Sequence, residues 1–104
     1  MVDMHMNNQS PWRFDEPPNE AAVSVRAIIE RGEPILLVAR DAEDGGWQFL
    51  TGGRFEQSDA VLVTLRSIVA TDPTVAELRD LPFGWTASRS EVGGEWTRHA
   101  GAAA

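Results

Sequence analysis

Cysteine and lysine are both missing from this chain, histidine occurs only twice, and no long apolar run is present. Without cysteine there can be no disulfide, cysteine-ligated zinc, iron–sulfur cluster or thiol nucleophile. Every basic residue is therefore an arginine, and the arginines are scattered from Arg13 to Arg98 with acids between them. A nucleic-acid backbone asks for a contiguous basic stripe, so DNA or RNA is not expected as a ligand. His5 and His99 stand near opposite ends with no third ligand at a metal-like spacing, so no metal or other cofactor is expected. The longest apolar stretch, Ile35 to Ala39, is far too short to cross a bilayer. The polar segment Met1 to Asn8 lacks the apolar centre of a signal peptide, which leads to the expectation of a cytoplasmic protein with no membrane partner.

What is present suits one folded domain. The chain has 104 residues, 42% of them hydrophobic, and four tryptophans, enough for one core and too little for two. Sixteen acidic residues against nine basic ones give a formal charge of -7, which favours solubility or a basic protein partner reached by electrostatic steering.

Local patterning divides the chain into an irregular arm at residues 1–20, a single α+β domain at 21–99 and a fraying tail at 100–104. Pro11, Pro17 and Pro18 interrupt hydrogen bonding in the arm, while Trp12 and Phe14 invite docking onto the domain. Ala22 to Ile29 reads as one strand with Val23, Val25, Ala27 and Ile29 on one face. The polar link around Gly32 then predicts an antiparallel return along Ile35 to Arg40. After the acidic turn Asp41 to Gly46, a third strand places Trp47, Phe49 and Thr51 on one face and stops at Gly52-Gly53. Ala60 to Val63 reads as a strand or extended lead-in. Thr64 then caps a short helix carrying Leu65, Ile68 and Val69 that ends at Asp72-Pro73, and a second helix starts after Pro73. Extended pieces at 85–89 and 95–98 flank a last hairpin turn. The expected architecture is an antiparallel sheet of about five strands with two short helices on one face.

No catalytic constellation assembles from these residues. Neither histidine is placed by a local motif to activate a serine or threonine, and no nucleophile elbow occurs. Gly45-Gly46 and Gly52-Gly53 head neither a P-loop nor a dinucleotide fingerprint and read as turn glycines. Asp41, Glu43 and Asp44 crowd one loop, but Trp47-Gln48-Phe49 occupies the positions where later calcium ligands would stand. The cluster reads as a solvated loop or a contact for a protein partner. Trp47, Trp85 and Trp96 read either as core or as interface anchors, with core favoured for at least two of them.

Three segments carry a resemblance: Asp44-Gly45-Gly46-Trp47-Gln48-Phe49-Leu50-Thr51-Gly52, Leu65 to Pro73 ending in Asp-Pro, and Leu81-Pro82-Phe83-Gly84-Trp85-Thr86-Ala87-Ser88-Arg89. In this order they resemble a family of small bacterial immunity proteins of polymorphic toxin systems, first described as a domain of unknown function. The likeness covers residues 22 to 98. One departure is Gly53-Arg54-Phe55-Glu56-Gln57, where relatives often carry an acidic run. The resemblance implies a non-enzymatic protein that binds and neutralises a toxin and has no catalytic residues.

The expected partner face comprises Asp41, Glu43, Asp44, Trp47, Arg54 and Glu56, in a protein that is a monomer or weak dimer. A housekeeping interaction module or regulatory subunit is the alternative. A small-molecule enzyme or sensor is the third possibility, and its sign would be a deep pocket lined by converging polar groups.

Overall fold

The computed structural model describes residues 11–101; the expectations for residues 1–10, His5 included, and for residues 102–104 lie outside them. The chain is a small α+β domain built on one mixed sheet of six strands. In chain order the elements are β1 (Ala21–Val25), α1 (Arg26–Ile29), β2 (Leu37–Arg40), β3 (Trp47–Leu50), β4 (Ala60–Thr64), α2 (Leu65–Thr71), β5 (Thr86–Ser88) and β6 (Thr97–His99). Short 3-10 turns cover Gln57–Asp59 and Pro73–Leu78. Among the described residues no helix is long and apolar enough to cross a membrane.

Strand order across the sheet is β4-β1-β3-β2-β5-β6. The β2–β3 hairpin forms around the acidic turn, with Arg40 opposite Trp47 and Leu37 opposite Leu50. The β5–β6 pairing supplies the last hairpin. Two expectations need correction. The segment Ala22 to Ile29 is not one strand: it turns helical at Arg26, so the alternation breaks and Ile28, not Ile29, is buried. That helical turn lengthens the link to β2, and β3 occupies the place beside β1. Consequently β1 pairs with β3 in parallel and with β4 antiparallel, and the sheet is mixed rather than purely antiparallel.

The core forms on one face of this sheet. Trp47, Phe49, Val38 and Ala87 project from the strands into one buried cluster with Leu65 and Ile68 of α2 and Val75 and Leu78 of the second 3-10 turn. Local chemistry sets the helical boundaries. Thr64 Oγ1 accepts the Ser67 N–H at 3.2 Å at the start of α2, and Asp72 Oδ1 accepts the Thr74 N–H at 3.0 Å where Pro73 opens the next turn.

The arm is irregular over residues 11–20 but belongs to the domain. Phe14 is buried and meets Trp47 edge-on at 5.2 Å between ring centroids, with Trp12 beside it at 5.7 Å. Burial of a phenylalanine side chain stabilises by roughly 1.5–3 kcal/mol, so a boundary at residue 21 would cut into the core. A side chain at Gly101 would collide with the backbone of Gly84.

Two arginines tie distant segments together. Arg89 is wholly buried; its guanidinium pairs with Asp72, donates to the Ile35 carbonyl from Nε at 3.2 Å and Nη2 at 3.0 Å, and donates to Thr74 Oγ1 at 2.9 Å. The ring of Trp96 covers it at 4.1 Å. At the other end of the sheet, Arg40 donates to the carbonyls of Gly45 and Leu81, both at 3.0 Å, and to Glu16 Oε2 at 2.7 Å. It lies between the rings of Trp47 and Phe83, at 4.4 and 4.6 Å.

Candidate partner-binding face

The second face of the sheet is largely left open by the described chain. Register alone defines a row across all six strands, Leu62, Val23, Gln48, Ala39, Thr86 and His99. No residue in this row is acidic or arginine, and the strand positions two residues to either side add none. For a chain carrying a net charge of -7, a sheet face free of ionised carboxylates and guanidinia is unusual. Val25 and Leu50 close one end of it, whereas Leu62 is 75% exposed and Val23, Gln48, Ala39 and Thr86 are half-buried.

Two loops border the face at opposite ends of β3. The acidic turn lies at its start: Asp41 and Asp44 line a depression of about 240 Å³ with Val23, Gln48 and Leu62. Beyond its end, Phe55, 46% exposed, lines a second depression of about 400 Å³ with Val23, Gln48, Gln57 and Ala60. The loops are separated by the length of β3, roughly 13 Å at the usual rise per strand residue.

The site residues expected from the sequence divide accordingly. Asp41, Glu43 and Asp44 are all exposed on the turn, but two of them also build it. Asp41 Oδ1 accepts the N–H groups of Glu43 at 2.7 Å and Asp44 at 3.2 Å, and Asp44 Oδ1 accepts the Gly46 N–H at 2.8 Å. The hydrogen bond from the Glu43 backbone, followed by that from Asp44, holds the Asp41 carboxyl below its ordinary value. Glu43 has no side-chain hydrogen bond or ion pair among the described residues and is the turn's freest charge.

Trp47 is 2% exposed and its ring lies in the core. Alternation explains the difference: the indole takes the inner face, so its neighbour Gln48 is the residue presented between the two loops. As a side-chain anchor for a partner, Trp47 gives way to Leu62 and Phe55. Arg54 and Glu56 flank Phe55 on the exposed loop, where the Glu56 N–H is bound by Asp59 Oδ2 at 3.1 Å. Trp85 and Trp96 are half-buried and pack against the core.

Sequence reasoning missed Leu62, taken only as part of a brief apolar run, although its exposure follows once β4 is known to be an edge strand. It also missed Arg40, whose contacts hold the acidic turn against the arm.

Ser88 Oγ and His99 Nε2 are 3.1 Å apart across β5 and β6 on the open face. His99 is exposed and Ser88 half-buried, and among the described residues no carboxylate orients the imidazole as the third group of a serine-activating set would. Among the described residues no group of three His, Cys, Asp or Glu is placed to hold a metal ion. Compared with family models, curated proteins and solved structures, the chain matches none.

Proposed function

We propose that this chain is a non-enzymatic, immunity-type protein that binds a basic toxin domain inside the producing cell and blocks it sterically. The observation that carries the reading is the uncharged open sheet face, with Leu62 and Phe55 exposed and an acidic turn at one rim. Such a face has the anatomy of an interface: an uncharged centre that loses its water on contact and a charged rim that steers the encounter. The net charge of -7 favours a cationic partner. The resemblance of Asp44 to Gly52, Leu65 to Pro73 and Leu81 to Arg89 to the immunity family supports the same reading.

The test is co-expression with the effector domain encoded beside this gene, scored by growth and by binding of the purified pair. Wild-type protein should restore growth. Gln48→Arg places a cation at the centre of the face without touching the core, and should weaken binding by about tenfold or more, since a buried unpaired charge costs several kcal/mol. Glu43→Lys should slow association chiefly at low salt. Failure of the wild type to protect against the neighbouring effector, or undiminished binding by Gln48→Arg, rules this reading out.

A further inference from the structure

The two edges of the sheet are built differently. At one edge, β6 has three residues and carries Arg98, which is tied back to the Glu77 carbonyl at 3.1 Å and to Asp80 at 2.8 Å. At the other, β4 has five residues, Ala60-Val61-Leu62-Val63-Thr64, with no charge and no proline. Natural sheets normally protect an exposed edge with such features. No further strand pairs with the outer side of β4 among the described residues.

The hydrogen-bonding pattern shows what this edge is suited to pair with. The Leu65 N–H donates to the Glu20 carbonyl at 2.9 Å, which fixes the phase of the antiparallel β1–β4 ladder. Val63 and Val61 therefore bond inward, to Ala22 and Ser24, and the backbone groups of Ala60, Leu62 and Thr64 point outward. Two of those are already used: the Ala60 N–H donates to the Gln57 carbonyl, and the Thr64 carbonyl accepts the Ser67 hydroxyl at 2.7 Å. Four groups remain: the Leu62 N–H, the Leu62 carbonyl, the Thr64 N–H and the Ala60 carbonyl.

These four are self-complementary about Leu62. When a second β4 is laid antiparallel with Leu62 opposite Leu62, the two leucines exchange both of their hydrogen bonds. Each Thr64 N–H then meets the other chain's Ala60 carbonyl. No outward donor or acceptor is left over, and neither already used group is asked for again. We infer that β4 is a homodimerisation edge that joins two copies about a twofold axis through Leu62 into one continuous sheet. The contact is isologous, as closed symmetry requires. It uses backbone groups of the edge and is independent of the toxin-binding reading.

A pairing this short falls in the small-interface class, so the dimer forms reversibly and depends on concentration. Sedimentation velocity of the purified chain from roughly 5 to 500 µM tests it over the range where weak association is resolved. The expected result is a shift toward a species sedimenting about 1.5-fold faster, as a doubled mass requires. Leu62→Pro removes only an outward N–H, leaves the β1 ladder intact and should sediment as a monomer throughout. Leu62→Lys and Leu62→Glu should each be monomeric alone, because like charges are then directly opposed, and should form a dimer when mixed. Circular dichroism confirms that each variant is folded, and the Lys and Glu pair decides the matter should Leu62→Pro unfold. A wild type that remains monomeric over the whole range overturns the inference. So does a dimer that survives Leu62→Pro, or one that forms equally well in either charged variant alone.

Discussion

Removal of the Asp72 carboxylate should nearly unfold the protein, and the reason lies in what it leaves behind. The Arg89 side chain is fully buried, and Asp72, at 9% side-chain exposure, is its only carboxylate partner among the described residues. Asp72→Ala strands the guanidinium with the Ile35 carbonyl and Thr74 hydroxyl alone, and also uncaps the turn at Pro73–Leu78. Breaking a buried pair from one side costs about 3–5 kcal/mol, a large share of the roughly 5–15 kcal/mol that a domain of this size possesses. At a urea slope near 2 kcal/mol per molar, the unfolding midpoint should fall by about 1.5–2.5 M. Tryptophan fluorescence reports it directly, since Trp96 lies on the Arg89 guanidinium. The decisive comparison is the double replacement Asp72→Asn with Arg89→Met, which removes both charges and keeps an acceptor for Thr74. It should be more stable than Asp72→Ala although it alters more atoms, because no charge is left unpaired. A loss below about 1 kcal/mol in Asp72→Ala, or strictly additive losses in a cycle through the two sites, would refute the reasoning.

Two further outcomes follow from the acidic turn. Gly45 has φ of +72° and its α-carbon faces the ring of Phe83, so Gly45→Ala meets backbone strain and a side-chain collision together. A loss of about 1–3 kcal/mol is expected, read as a melting temperature lower by roughly 5–15 °C, and an unchanged melting curve would contradict the assignment. Asp41 is held below its ordinary pKa by the N–H groups of Glu43 and Asp44. A depressed carboxylate contributes its stabilisation above its unfolded pKa and loses it as pH falls through the folded value, so the turn should loosen only in acid, below about pH 4. Amide shifts of Glu43 and Asp44 followed by NMR should titrate below the usual aspartate midpoint; a midpoint at or above it contradicts the hydrogen-bonding account.

What could be read from the sequence was what nearest neighbours decide. The Asp41–Gly46 turn, the Thr64 cap and the Asp72-Pro73 stop each depend on chemistry within a few residues, and each is found where the pattern places it. Strand order is a different kind of information. Nothing local to Ala21–Val25 says that β3, not β2, will lie beside it, because both are short apolar strands of similar composition. The helical turn at Arg26 was hidden because β-branched Ile28 and Ile29 continue an apolar run that fits either period. Arg89 and Arg40 were equally opaque: their hydrogen-bond partners stand 15 to 54 and 5 to 41 positions away. Within the candidate face, the two loops were legible as exposed charge, but which side Trp47 would take depended on which face the helices would cover.

That dependence bears on how the open face and the free edge act together. With helices on one side only, the fold leaves a sheet surface that water must cover or a partner must fill, and an antiparallel-rich sheet tolerates water there when the exposed positions are strongly polar. Here the row runs Leu62, Val23, Gln48, Ala39, Thr86 and His99, with no carboxylate or guanidinium in it. Pairing at β4 would bring the open faces of two copies edge to edge, with Leu62 beside Leu62 at the seam and an acidic turn on each copy. A toxin domain seated on one face would then contact both copies near the seam. Its affinity should therefore rise with concentrations of this protein at which the dimer forms, and Leu62→Pro should abolish that dependence; because Leu62 also stands on the toxin-facing surface, binding to the monomer weakens as well. If Leu62→Pro leaves the concentration dependence unchanged, the two surfaces act separately.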